Sequence, residues 1–218
     1  MPVYKRPVWS CDRWSNSPGR CNPIANSFRR GCLLIPVGYM LKHVQVGPAW
    51  AGVPHVDQVY SVSSCISENF RREWVDDWKH NGYWFFNDPE TLEQLLVKHG
   101  ISKSGLTLFF YYLHEEQWLR ENRRWVPISP FEGVETRVVL PAVSRLCGYD
   151  IVTLSDRSCP ECSPLSCNGL CRTVDVNSCC LLGSLENAIK VVEGLSTSIA
   201  EPGPYGIYEV YKIGWFSE

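Results

Sequence analysis

The densest chemical signal in the chain is a run of thiols from Cys159 through Cys162 and Cys167 to Cys171, four cysteines in thirteen residues with gaps of two, four and three. Four thiolates complete a tetrahedral zinc shell, and a two-residue gap lets one knuckle turn two sulfurs onto one ion. Pro160 and Pro164 restrict the loop, and Gly169 permits a sharp turn before Cys171. A two-knuckle ribbon separates its cysteine pairs by roughly 15–20 residues, which this run does not. The bacterial ferredoxin run is tighter in its middle gap and is followed by Pro, where this chain has Arg172. The expectation is one structural zinc on Cys159, Cys162, Cys167 and Cys171. Four thiolates leave no open position for a catalytic water. Within 159–171 no Lys, Arg, His or aromatic residue is present to meet a phosphate or stack a base. The alternatives are a thiol-rich loop that holds no metal, or one that uses only part of the set together with a His or Cys180.

Other reactive groups are sparser. Cys65 stands just before an expected helix and His80 just after it, and a helix N-terminus favours a thiolate, so the two form a candidate Cys–His nucleophile. His114 and Glu115 follow an aromatic strand and could serve acid–base or metal chemistry, although no HExxH spacing surrounds them. A packed cysteine and a solvated strand end are the bland readings of these four residues. No Walker A loop, GxGxxG or GxSxG occurs in the sequence, which argues against phosphate-cradling and serine-hydrolase chemistry.

Charge is uneven. Residues 1–31 carry Lys5, Arg6, Arg13, Arg20, Arg29 and Arg30 against Asp12 alone, a local +5 in a chain of net −2. Such an arm suits an acidic partner or nucleic acid. The N-terminal residues lack the apolar core of a secretory signal. The 11 cysteines are therefore expected as cytoplasmic thiols or metal ligands rather than a disulfide framework. No stretch approaches the roughly 20 apolar residues of a membrane span.

These groups must be held by an α+β body. Asp88 with Pro89 opens a helix whose stripe is Leu92, Leu95 and Leu96 and whose stop is Gly100; Ser184 opens another over Leu185, Ala188, Ile189 and Val192, ending at Gly194. Ser67 is expected to cap a third, over Phe70, Trp74, Val75 and Trp78. Strands are expected at 32–41, 56–62, 82–86, 106–113, 136–140, 149–154, 173–176 and 207–213 from their β-branched and aromatic content. One regularity links them: Asn81-Gly-Tyr-Trp-Phe-Phe-Asn-Asp-Pro-Glu and Asn177-Ser-Cys-Cys-Leu-Leu-Gly-Ser-Leu-Glu precede a capped helix and a strand in the same order. The reading is two β-β-α-β-like halves, an internal duplication, forming a mixed or antiparallel sheet with helices on one face. The boundaries are a basic irregular arm over 1–31, a first half over 32–140 and a second over 141–218 that contains the thiol loop. The functional expectation is a cytoplasmic binding or regulatory protein that contacts another protein and carries a structural zinc. An enzyme with its site in the crevice between the halves, and nucleic-acid binding through the arm, are the alternatives.

Overall fold

The computed structural model describes residues 33–47, 49–63, 65, 80–155, 158–196 and 201–214. The basic arm and the helix expected from Ser67 lie outside these residues. The described chain forms β1 (Leu34–His43), the short pair β2 (Gln45–Val46) and β3 (Gln58–Val59), and helix α1 (Pro89–His99). There follow β4 (Leu106–His114), β5 (Glu116–Leu119), β6 (Arg124–Pro127), β7 (Arg145–Thr153), helix α2 (Leu185–Glu193) and β8 (Tyr205–Ile213). Six strands make one sheet in the order β1-β4-β8-β5-β6, with β7 also paired to β8, and every pairing is antiparallel.

The register of this sheet repeats. In β1–β4, Ile35 faces Leu113, Gly38 faces Tyr111 and Leu41 faces Leu108; in β7–β8, Arg145 faces Lys212, Gly148 faces Val210 and Ile151 faces Ile207. Both pairs bulge at the same step, between Pro36 and Gly38 and between Leu146 and Gly148. β4 and β8 then pair about Tyr111 and Val210, so that Phe110 faces Tyr211 and Tyr112 faces Glu209.

The two asparagines that begin the similar sequence stretches explain the bulges. Asn81 Nδ2 donates to Val37 O at 2.8 Å while its Oδ1 accepts from the N–H groups of Tyr83 and Phe85. Asn177 Nδ2 donates to Cys147 O at 2.7 Å while its Oδ1 accepts from Cys179 and Leu181. Each side chain thus satisfies the backbone groups that a bulge strips of ladder partners. The chain then meets the strand again, through the reciprocal bonds of Tyr39 with Phe86 and of Tyr149 with Leu182. That approach leaves no room for a side chain at the bulge. Gly38 has φ +121°, and a Cβ there would sit 2.2 Å from Phe86 O; at Gly148, with φ +146°, it would sit 2.8 Å from Leu182 O.

Both helices begin as expected. Asp88 accepts from Thr91 N at 2.7 Å and Ser184 from Asn187 N at 3.2 Å, each meeting one of the free N–H groups of a first turn. Gly100 ends α1 in the left-handed conformation at φ 64°. Leu92, Leu95 and Leu96 of α1 pack with Leu108, Phe110 and Ile213; Ala188 and Val192 of α2 pack with Ile151, Tyr205 and Ile207. Because strand side chains alternate, Tyr205, Ile207 and Ile213 share one face of β8, so both helices cover the same face. The other face meets irregular chain: Phe109, Tyr111, Leu113, Tyr208 and Val210 pack against Tyr60, Val62, Tyr83, Phe85 and Leu181.

Several expected strands are corrected. Of 56–62 only Gln58–Val59 pairs, and the strand that leads the first unit is β1. Residues 82–86 form the turn around Asn81, and 136–140 and 173–176 make no ladder. Cys179 and Cys180, expected on a strand, lie in the Asn177 turn, with Cys180 at φ 60°. No helix among the described residues is long and apolar enough to cross a membrane.

Candidate metal centre

A buried acid fixes the site from below. Asp150, on β7 and 1 % exposed, receives Val62 N–H at 2.8 Å and the Ser61 hydroxyl at 3.1 Å on one oxygen, and the Ser163 hydroxyl at 2.6 Å on the other. Burial lifts its pKa to about 6, while the bonds from Ser163, Val62 and Ser61 and the charge of Lys42 pull the other way. Lys42, on β1 and also buried, donates to the carbonyls of Val62 and Ser63 at 2.9 and 2.8 Å. Together the two charges pin segment 61–63 beneath the end of β7.

The thiol loop is pinned to the same strand end. Thr153 N–H donates to Cys162 O at 2.8 Å, and Cys162 N–H returns to Thr153 Oγ1 at 3.0 Å. Cys167 N–H closes a turn on Ser163 O at 2.7 Å. Ser63, fully buried, links the two segments: its hydroxyl donates to Glu161 O at 2.6 Å and accepts from Cys65 N–H at 3.1 Å. With its one proton spent on Glu161, the Ser63 oxygen accepts from the Cys167 thiol at 3.3 Å.

Three sulfurs converge there. The Sγ atoms of Cys65, Cys162 and Cys167 all lie within 4.8 Å of one another, with Cys65 exposed, Cys162 buried and Cys167 half-buried. Zinc–sulfur bonds of ~2.3 Å in a tetrahedron put sulfurs roughly 3.8 Å apart, a contraction that side-chain rotation can supply. This trio could hold a metal ion. Burial raises the Cys162 thiol well above its ordinary range, reinforced by its hydrogen bond with Cys167 and by that neighbour's charge. Without an ion Cys162 therefore keeps its proton, and an ion must displace it, which ties affinity to pH.

The grouping differs from the one that the spacing suggests. Cys162 and Cys167 are brought together, but Cys159 and Cys171 do not join them. Cys171 is 2 % exposed in the core under α2, a free thiol 3.9 Å from Ala51 O and within hydrogen-bonding reach of Cys180. Cys159, half-buried, caps the turn at Ser155, whose N–H reaches its carbonyl at 3.0 Å. Cys65, expected beside His80, faces the thiol loop instead. His80 stacks on Trp84 with ring centres 4.1 Å apart and bonds Asn81 O. His114, expected at a solvated strand end, is 7 % exposed. Its Nε2 stands 3.9 Å from Glu209 Oε1, and burial lowers its pKa to about 4. Glu115 spends both backbone groups on Leu33 and Ile128. Sequence reading missed Asp150 and Lys42, although a lone charge in an apolar strand was a visible signal of a buried partner. Comparison with family models, with curated proteins and with solved structures finds no match for this chain.

Proposed function

We propose that the chain is a cytoplasmic binding or regulatory protein, built from a duplicated β-bulge–Asn-turn–helix–β unit and acting by contact with another protein. In this reading a structural zinc held by Cys65, Cys162 and Cys167, with its fourth position taken by water or another donor, ties segment 61–63 and Cys65 to the thiol loop. The observation that carries it is the convergence of Cys65, Cys162 and Cys167 from segments almost a hundred residues apart, on a platform of buried hydrogen bonds. Soft thiolates suit zinc, and an ion gripped from both sides stabilises the pairing of two irregular segments that form no ladder. The duplication is supported by the shared register, the two bulges and the two asparagines.

Contact with a protein is supported by segment 139–146. Its Val139, Leu140, Val143 and Leu146 are exposed, Val143 by 81 %. Yet its two ends are anchored: Val139 N–H donates to Asn87 O at 2.9 Å and Tyr39 OH donates to Val139 O at 2.7 Å, while Arg145 and Leu146 pair with Lys212 and Tyr211 of β8. An apolar run held in place on the surface is the mark of an interaction site.

The test is metal content of the full chain, purified without chelator, beside Cys162→Ser. One zinc per chain, lost in the variant together with several degrees of thermal stability, supports the reading; a metal-free, equally stable protein overturns it.

A further inference from the structure

The two units differ most sharply at one place, and there the difference is chemical. In the first unit, Ile35 pairs with Leu113, Val37 gives its carbonyl to Asn81 Nδ2, and Tyr83 gives its N–H to Asn81 Oδ1. In the second, the residues in those roles are Arg145 paired with Lys212, Cys147 with its carbonyl on Asn177 Nδ2, and Cys179 with its N–H on Asn177 Oδ1. Four apolar positions, all packed in or against one core cluster, are matched by two cations and two thiols. These four line a pocket of about 320 Å³, with Tyr60 and Asn177 on its walls.

A pocket with this lining selects its ligand. Arg145 and Lys212 favour an anion and oppose a metal cation at the sulfurs. Both cations bear on both thiols, and Lys212 Nζ also reaches the Tyr60 hydroxyl at 3.4 Å. Neither thiol is sealed in: Cys147 and Cys179 are half-buried. A simple oxyanion site has no use for sulfur, whereas a thiol–disulfide exchange site uses both features.

We propose that Cys147 and Cys179 form an exchange site for small anionic disulfides of the glutathione class, held by Arg145 and Lys212. The thiolate of one cysteine attacks a sulfur of the bound disulfide. That S–S bond breaks, one small thiolate leaves with the bonding electron pair, and a mixed disulfide forms on the protein. The second cysteine then attacks the mixed disulfide and releases the other small thiolate. Two protein thiols are oxidised, one small disulfide is reduced to two thiols, and the protons of the protein thiols pass to the released thiolates. Burial raises both thiols above their ordinary range against the pull of the two cations, so exchange quickens with rising pH. This site is separate from the thiol trio and does not depend on it.

The test exposes the full chain to oxidised glutathione or to the neutral hydroxyethyl disulfide, then alkylates and maps each cysteine by peptide mass. Loss of free thiol at Cys147 or Cys179, as a mixed disulfide or as a cross-link between them, is expected to be about tenfold faster with the anionic reagent at low ionic strength. The double variant Arg145→Gln, Lys212→Gln alters only exposed side chains and should remove that preference at these two positions. Unmodified Cys147 and Cys179, equal rates with the two reagents, or an undiminished preference in the double variant would each overturn the proposal. A circular dichroism spectrum matching the parent confirms that the variant is folded.

Discussion

Two buried groups should shape the pH dependence of stability in opposite directions. His114 is lowered from 6.5 to about 4 by burial, so the fold favours its neutral form. Its contribution is fully present above pH 6.5 and is lost as the pH falls through 4, because the unfolded chain binds the proton first. At ~1.4 kcal/mol per pH unit the shift corresponds to about 3 kcal/mol. Asp150 is raised from 3.8 to about 6, chiefly by burial, so the fold favours its protonated form. Its contribution is present below pH 3.8 and is lost as the pH rises through 6, again about 3 kcal/mol. Between pH 4 and 6 the unfolded chain holds roughly one more proton at His114 and one fewer at Asp150, and the two slopes cancel. His114→Gln should unmask the acid: urea unfolding at half-unit steps should show the variant losing about 3 kcal/mol relative to the parent as the pH rises from 4 to 6. Asp150→Asn should show the reverse trend, gaining on the parent over the range in which the carboxylate ionises. Taking each variant as a difference from the parent removes every other titrating group. Stability curves that run parallel to the parent's across this window would refute the assignment of both shifts.

Four further outcomes are expected. Gly148→Ala should cost more than about 2 kcal/mol, since the Cβ would stand 2.8 Å from Leu182 O at a φ that only glycine adopts readily; chemical denaturation measures it, and a neutral result would mean the bulge relaxes. Asn177→Ala should cost about 2–3 kcal/mol by the same measurement, because it strips partners from the Cys147 carbonyl and the Cys179 and Leu181 N–H groups. Tyr208→Phe should be neutral or stabilising by up to about 1 kcal/mol, because its buried hydroxyl finds no partner among the described residues. Cobalt added to the full chain should give thiolate charge-transfer absorption that falls by about a third in Cys65→Ser, and by almost nothing in Cys171→Ser if that thiol stays in the core under α2.

The parts of the fold written in local chemistry could be read from the sequence. Asp88, Pro89 and Gly100 bound α1 because caps act within one turn, and the aromatic run 106–113 became β4. The parts that need a distant partner could not. Residues 136–140 are as rich in β-branched side chains as any strand, yet the N–H groups of Arg137 and Val139 go to Asn87 and the Val139 carbonyl to Tyr39. β-propensity records a fit to a pleated surface and does not supply a neighbour to pair with. The hairpin of β5 and β6 escaped notice for the converse reason: Arg120-Glu-Asn-Arg123 looks like solvated loop, and it is the turn of two strands held by Trp118 against Trp125. Cys65 carries no spacing signal toward Cys162, since their proximity is created by Asp150 and Ser63.

The placement of that trio follows from the shared architecture of the two units. Each runs from a bulged strand through a connecting segment to its asparagine turn, helix and closing strand; the described residues of these connections are 44–47, 49–63 and 65 in the first and 154–155 and 158–176 in the second. Cys65 belongs to the first of these segments, and Cys162 and Cys167 to the second. Asp150, at the head of the second segment, holds Ser61 and Val62 of the first, and Lys42, at the head of the first, donates to carbonyls in that same stretch. The sheet fixes the two units to each other through β4 and β8, while Tyr60 and Val62 of the first connection pack on the face opposite the helices and Ala51, Val56 and Val59 join Leu165, Leu170 and Cys171 in the cluster under α2. Buried charges and converging thiols supply there the attachment that a ladder supplies elsewhere. What the units share, the bulge glycine and the asparagine, maintains the frame; what distinguishes them, the sulfur and the basic pair, is where chemistry has room to enter.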